Sequence, residues 1–65
     1  MYKEGDIVQI TKDFTKGDFP ITLYKYTYSI GTVYRIDRRK IRVKFSGWLD
    51  KCYFLEDEII LLHRS

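Results

Sequence analysis

The sequence predicts an all-β domain, five short strands wound into one small twisted barrel, with a long first loop and a short helical turn before the last strand. Three observations carry that expectation. Apolar and charged residues alternate through Ile30-Gly31-Thr32-Val33-Tyr34-Arg35-Ile36 and again through Ile41-Arg42-Val43-Lys44-Phe45, on either side of the polar turn Asp37-Arg38-Arg39-Lys40. A hairpin with one buried and one wet face is written this way. The apolar positions are dominated by β-branched and aromatic residues, which suit a pleated, half-buried surface. No long segment carries a 3.6-residue apolar period. The 65 residues form a single domain, residues 1–65, because a second core would have nothing left to bury. A hydrophobic share of 45% and an aromatic share of 17% are enough for a compact globule without staples.

Taken in order, Gly5-Asp6 reads as a turn into the first strand, Ile7-Val8-Gln9-Ile10-Thr11, with Val8 and Ile10 facing inward. The polar stretch Asp13 to Pro20, which contains a glycine and the proline, is a loop. It runs into Ile21-Thr22-Leu23-Tyr24-Lys25-Tyr26-Thr27-Tyr28, where two readings stand side by side. An extended run puts Tyr24, Tyr26 and Tyr28 on one side; the alternative is a long excursion with only partial strand character. The hairpin strands are expected at Gly31–Asp37 and Lys40–Ser46, with Val33 and Ile36 inward on the first and Ile41, Val43 and Phe45 inward on the second. Val33 and Ile36 are three apart, which breaks alternation and predicts a bulge or a strong coil. Gly47-Trp48-Leu49-Asp50-Lys51 is a turn carrying an aromatic residue. Cys52-Tyr53-Phe54-Leu55 leads to a short helical turn, Glu56-Asp57-Glu58, and Ile59-Ile60-Leu61-Leu62 closes as the last strand.

This order resembles the SH3-like barrel. More narrowly, the pattern Gly5-Asp6-x-Val8-x-Ile10, Gly31-Thr32-Val33-x-x-Ile36-Asp37, Ile41-x-Val43-x-Phe45 and Phe54-x-x-Asp57-Glu58-Ile59 is similar to the photosystem I subunit IV and ferredoxin–thioredoxin reductase variable-chain branch. It also resembles KOW- and Tudor-type barrels. The similarity spans nearly the whole chain, and each motif is a strand-and-turn signature, not a chemical one. The photosynthetic members are accessory subunits without catalytic residues, so the resemblance implies docking onto other proteins. Domains of this architecture usually act in recognition, an analogy from fold. The chain departs from that branch in a longer, more aromatic Asp13–Ser29 excursion and a short, basic Asp37–Lys40 turn.

The net charge of +3 is unevenly placed. Residues 1–33 balance, whereas between Tyr34 and Trp48 only Asp37 opposes Arg35, Arg38, Arg39, Lys40, Arg42 and Lys44. Beyond Trp48 the acids Asp50, Glu56, Asp57 and Glu58 outnumber Lys51 and Arg64. One basic hairpin and one acidic turn give a directional field that orients a charged partner. Tyr34, Arg42 and Lys44 are expected to project outward, with Arg38, Arg39 and Lys40 at the tip and Arg35 near the bulge. Guanidinium groups recognise carboxylates and phosphates bidentately. The plainer reading is a solvated face whose charges discourage strand pairing at an edge. The aromatic set Tyr24, Tyr26, Tyr28, Tyr34, Trp48 and Tyr53 offers contact area with polar handles. Part of it must be core, and Trp48 suits a lid over one barrel end as well as an interface.

Residues that carry catalysis are scarce. The single cysteine, Cys52, and single histidine, His63, read as a half-buried hydrophobe and a solvated residue near the end of the sequence. No phosphate loop or metal-spaced cluster is present, so the expectation is a non-enzyme with no metal and no cofactor. One cysteine fits a reducing cytoplasm. No segment reaches the roughly 20 apolar residues of a membrane helix, and no apolar leader is seen, so a soluble cytoplasmic protein is expected. Two function classes follow. The first is a protein-interaction module, an accessory subunit or a small inhibitor or regulator of the kind a phage or mobile element encodes. It docks its basic hairpin and neighbouring aromatics on an acidic or mixed surface of a larger protein. The alternative is a DNA- or RNA-binding barrel using the same face, with tyrosines stacking on bases. A homodimer through an edge strand is compatible with either.

Overall fold

The computed structural model describes residues 1–47 and 51–65, so the expectations for Trp48 lie outside the described residues. Five strands form one antiparallel sheet: β1 (Ile7–Ile10), β2 (Ile30–Asp37), β3 (Lys40–Lys44), β4 (Lys51–Phe54) and β5 (Ile59–His63), in the order β4-β3-β2-β1-β5. The all-β reading therefore holds. The edge strands β4 and β5 do not pair with each other, so hydrogen bonds do not close the sheet into the expected barrel. The physical reason lies in their connection. Glu56–Glu58 is a 3₁₀ turn, as the sequence predicts, and its backbone is satisfied elsewhere. Glu58 N donates to Leu55 O at 2.9 Å and Thr11 N donates to Glu58 O at 2.8 Å.

The buried set follows the alternation. Val8 and Ile10 on β1, Val33 on β2, Ile41 and Val43 on β3 with Phe45 just beyond it, Phe54 on β4 and Ile59 on β5 form the core with Phe14 and Tyr26. The bulge is where the three-residue spacing puts it. The β2–β3 register shifts between Val33 and Arg35 and leaves Tyr34 without a cross-strand partner. Ile36 pairs with Ile41 and so shares its face, yet it lies past the core and is 39% exposed. β3 ends at Lys44, two residues short of the expected Ser46. Gly31 is required by a close approach. A Cβ there would sit 2.5 Å from Val43 Cγ1 and 2.7 Å from the carbonyl oxygen of Lys44.

The extended reading of the tyrosine run is overturned. Ile21–Tyr26 is a 3₁₀ helix; β1, the strand it follows, already has β2 and β5 as neighbours, and the run joins neither edge of the sheet. Its backbone closes locally instead, with Leu23 N on Pro20 O at 3.0 Å, Thr27 N on Tyr24 O at 3.2 Å and Ser29 N on Tyr26 O at 3.0 Å. Tyr24, Tyr26 and Tyr28 thus do not share a side. Tyr26 drops into the core, with ring centroids 5.1 Å from Phe45 and 5.6 Å from Phe54. The Thr27 hydroxyl accepts from Phe14 N at 2.9 Å and pins the preceding loop.

Asp6, read from sequence only as part of a turn, is fully buried and is the buried charged residue among those described. Its carboxylate accepts from Lys3 N at 2.9 Å and from Ser65 N at 2.8 Å, tying the turn before β1 to the segment after β5. The Ser65 N–H, then the Lys3 N–H, hold this carboxyl below the usual aspartate range. Among the described residues no helix is long and apolar enough to cross a membrane.

Candidate functional site

Antiparallel pairing carries side chains of one face across the strands in rows. Arg35 lies opposite Arg42, and Arg42 opposite Tyr53; Thr32 lies opposite Lys44, and Lys44 opposite Lys51. Ile41, Val43 and Phe54 fill the other face. The outer face of β2–β3–β4 therefore collects Arg35, Lys40, Arg42, Lys44 and Lys51. The tyrosines interleave with them. Lys51 Nζ lies 5.0 Å from the Tyr34 ring centroid and Lys40 Nζ lies 4.9 Å from that of Tyr53. Asp37 is the carboxylate that answers this face, 3.8 Å from Arg42 Nη2, and the Arg42 Nε is buried with no hydrogen-bond partner among the described residues.

Of the residues predicted to bind a partner, Tyr34, Arg35, Lys40, Arg42 and Lys44 come together here. Arg38 and Arg39 do not join them. Both are exposed on the β2–β3 turn, Arg38 with φ of +61°, and they border a groove of about 750 Å³. It is lined also by Met1, Tyr2, Ile36, Ile41 and Leu55, and by the acidic residues Glu56 and Asp57. Tyr24 and Tyr28 are exposed on the segment that enters β2 from the end away from the hairpin tip. Gln9 Nε2 donates to the Tyr28 carbonyl at 3.1 Å. Tyr26 is only 6% exposed and is a core residue, not a surface contact.

Two members of the face were missed from sequence, Lys51 and, within the binding set, Tyr53. The alternation Lys51-Cys52-Tyr53-Phe54 was the available signal, since the exposure pattern along β4 follows it. Cys52 is half-buried against the core, and burial pushes its thiol pKa up, away from the reactive thiolate. His63 is exposed on β5, the sheet edge opposite β4. Comparison of the chain with protein-family models, with curated proteins and with solved structures gave no match. The functional reading rests on the geometry of these two surfaces.

Proposed function

We propose that this chain is a non-catalytic protein-interaction module, an accessory subunit or a small inhibitor or regulator, that docks the outer face of β2–β3–β4 on an acidic surface of a larger protein. The observation that carries this reading is the strand register, which sets like charges opposite one another on one face, Arg35 opposite Arg42 and Lys44 opposite Lys51. Like charges directly opposite are unfavourable in the free domain. A carboxylate-rich partner relieves that repulsion, and each guanidinium can grip it bidentately. Tyr34 and Tyr53 add contact area among the cations. The strand order β4-β3-β2-β1-β5, with a 3₁₀ turn before β5, supports reading the coiled sheet as an SH3-like barrel, an architecture commonly used for recognition.

Nucleic acid is the second reading, and the tyrosines favour it. A lysine over an exposed ring is worth about 0.5–1 kcal/mol, whereas a stacked base is worth about 1–3 kcal/mol and would displace it. The modest net charge of +3 and the acidic turn Glu56–Glu58 favour the protein partner. A discrete acidic patch can avoid those carboxylates, and a long polyanion meets them.

The test is affinity capture from the source cells with the wild-type protein and with Arg35→Glu, Lys44→Glu, two exposed positions whose reversal leaves the core intact. One stoichiometric protein held by the wild type and lost by the variant is the expected result. Capture of no protein, with saturable binding of labelled single-stranded DNA or RNA that weakens steeply with salt, would replace this reading with the second.

A further inference from the structure

We propose that the groove at the hairpin-tip end of the sheet binds an extended polypeptide segment that presents an apolar side chain between an acidic and a basic one. The groove is concave, and its volume of about 750 Å³ lies in the range of functional pockets. Two of its apolar lining residues are open to solvent, Ile36 39% and Leu55 44% exposed. Exposed apolar side chains in a concave setting with charged groups around them suit a ligand that covers them.

The charges around those side chains choose the occupant. Arg38 and Arg39 stand on the β2–β3 turn and Glu56 and Asp57 on the 3₁₀ turn before β5. Two different elements hold the opposite signs apart, and no ion pair joins them. Among the described residues the ion pairs are Lys12 with Glu58 and Arg42 with Asp37. A uniformly anionic ligand meets Glu56 and Asp57, and a uniformly cationic one meets Arg38 and Arg39. A segment carrying both signs satisfies both. In an extended chain alternate residues point to one side, so the recognised element is acid, apolar, base at alternate positions. A purely anionic surface, such as a polyphosphate or an acidic lipid headgroup, lacks the second sign and is disfavoured.

This site shares no residue with the cationic outer face, so the failure of either proposal leaves the other standing. The test begins with a phage-displayed library of random twelve-residue peptides, selected on the intact protein. The strongest binder is then synthesised and titrated against ¹⁵N-labelled protein. Enriched peptides are expected to carry the alternate acid, apolar, base pattern and to shift the amides of Ile36, Arg38, Arg39, Leu55, Glu56 and Asp57. Affinity should fall at least tenfold in Arg39→Glu and in Asp57→Lys, and stay within about twofold in Arg35→Glu, Lys44→Glu. Glu56→Lys with Asp57→Lys should reverse the preference toward peptides acidic on both sides of the apolar residue. The proposal is overturned by a selection that enriches nothing, by enriched peptides without the charge pair, or by amide shifts that map elsewhere. Sedimentation showing that a second copy of the chain occupies the groove would also overturn it. The wild-type shift map needs no variant to fold.

Discussion

The β2–β3 hairpin and the excursion from Lys12 to Ser29 carry similar sequence patterns and reach different structures. Each contains apolar or aromatic residues at alternate positions. In the hairpin the partner strand begins three residues after β2 ends, so pairing closes a short loop at small entropic cost and the alternation is realised as two faces. In the excursion Tyr24, Tyr26 and Tyr28 alternate just as regularly, but both edges of β1 are occupied. A run without a ladder partner satisfies its N–H and C=O groups within itself, and here it does so as a 3₁₀ helix. Alternation thus tells which residues can share a face only where a neighbouring strand is available to make the face.

The largest test of this contrast is Tyr26→Ala against Tyr24→Ala. Tyr26 fills the core beside Phe45 and Phe54, so its truncation should destabilise the domain by about 3 kcal/mol or more. Tyr24 is exposed, and its truncation should stay within about 0.5 kcal/mol. Urea denaturation of the two variants decides it, and equal losses would mean that the tyrosines share one environment after all. Gly31→Ala probes the hairpin side. A Cβ meeting Val43 and the Lys44 carbonyl oxygen should cost about 1–3 kcal/mol through overpacking, read from the same denaturation curves.

Asp6 sharpens the comparison from the frame that both regions hang on. Its carboxyl is held low by donated backbone hydrogen bonds, so its contribution is fully present above the unfolded pKa of about 4 and is lost as pH falls toward the lowered folded value. Asp6→Asn should therefore be less stable than wild type at neutral pH, with the gap narrowing in acid. A gap that stays constant when thermal melts are repeated down to strongly acidic pH would show that the charge plays no part.

The smallest effect uses one position from each region. Tyr28 and Arg38 have φ of 59° and 61°, a left-handed conformation that costs most side chains about 1 kcal/mol and that asparagine tolerates better. Tyr28→Asn and Arg38→Asn should each raise stability by less than about 1 kcal/mol. A loss at Tyr28 alone would show that its side chain has a packing role in the excursion.

Much of the hairpin was legible because its determinants are local. Val33 and Ile36 announced the bulge, Ile41, Val43 and Phe45 the inward set, and Arg35, Arg42 and Lys44 the wet one. The 3₁₀ turn at Glu56–Glu58 was legible for the same reason, since Glu58 Oε1 accepts from Leu55 N at 2.9 Å within one short turn. The remainder depends on where distant segments meet. The alternation along β4 marks the side that Lys51 takes, and only the β3–β4 register sets it beside Lys44. Asp6 is buried because Ser65 reaches it. The groove exists because Tyr2, the hairpin tip and Leu55–Asp57 converge.

By itself, then, the amino-acid order determined an all-β chain, the alternating hairpin with its bulge and basic outer side, and the position of the last turn. Steric and hydrogen-bond preferences acting over a few residues are enough for these. Only the tertiary structure decided that the sheet stays open between β4 and β5, that Tyr26 is core while Tyr24 and Tyr28 are surface, and that the basic residues divide between a strand face and a groove. Each of these depends on which backbone groups and surfaces are already occupied by other parts of the chain, and that competition is settled only when the whole chain packs.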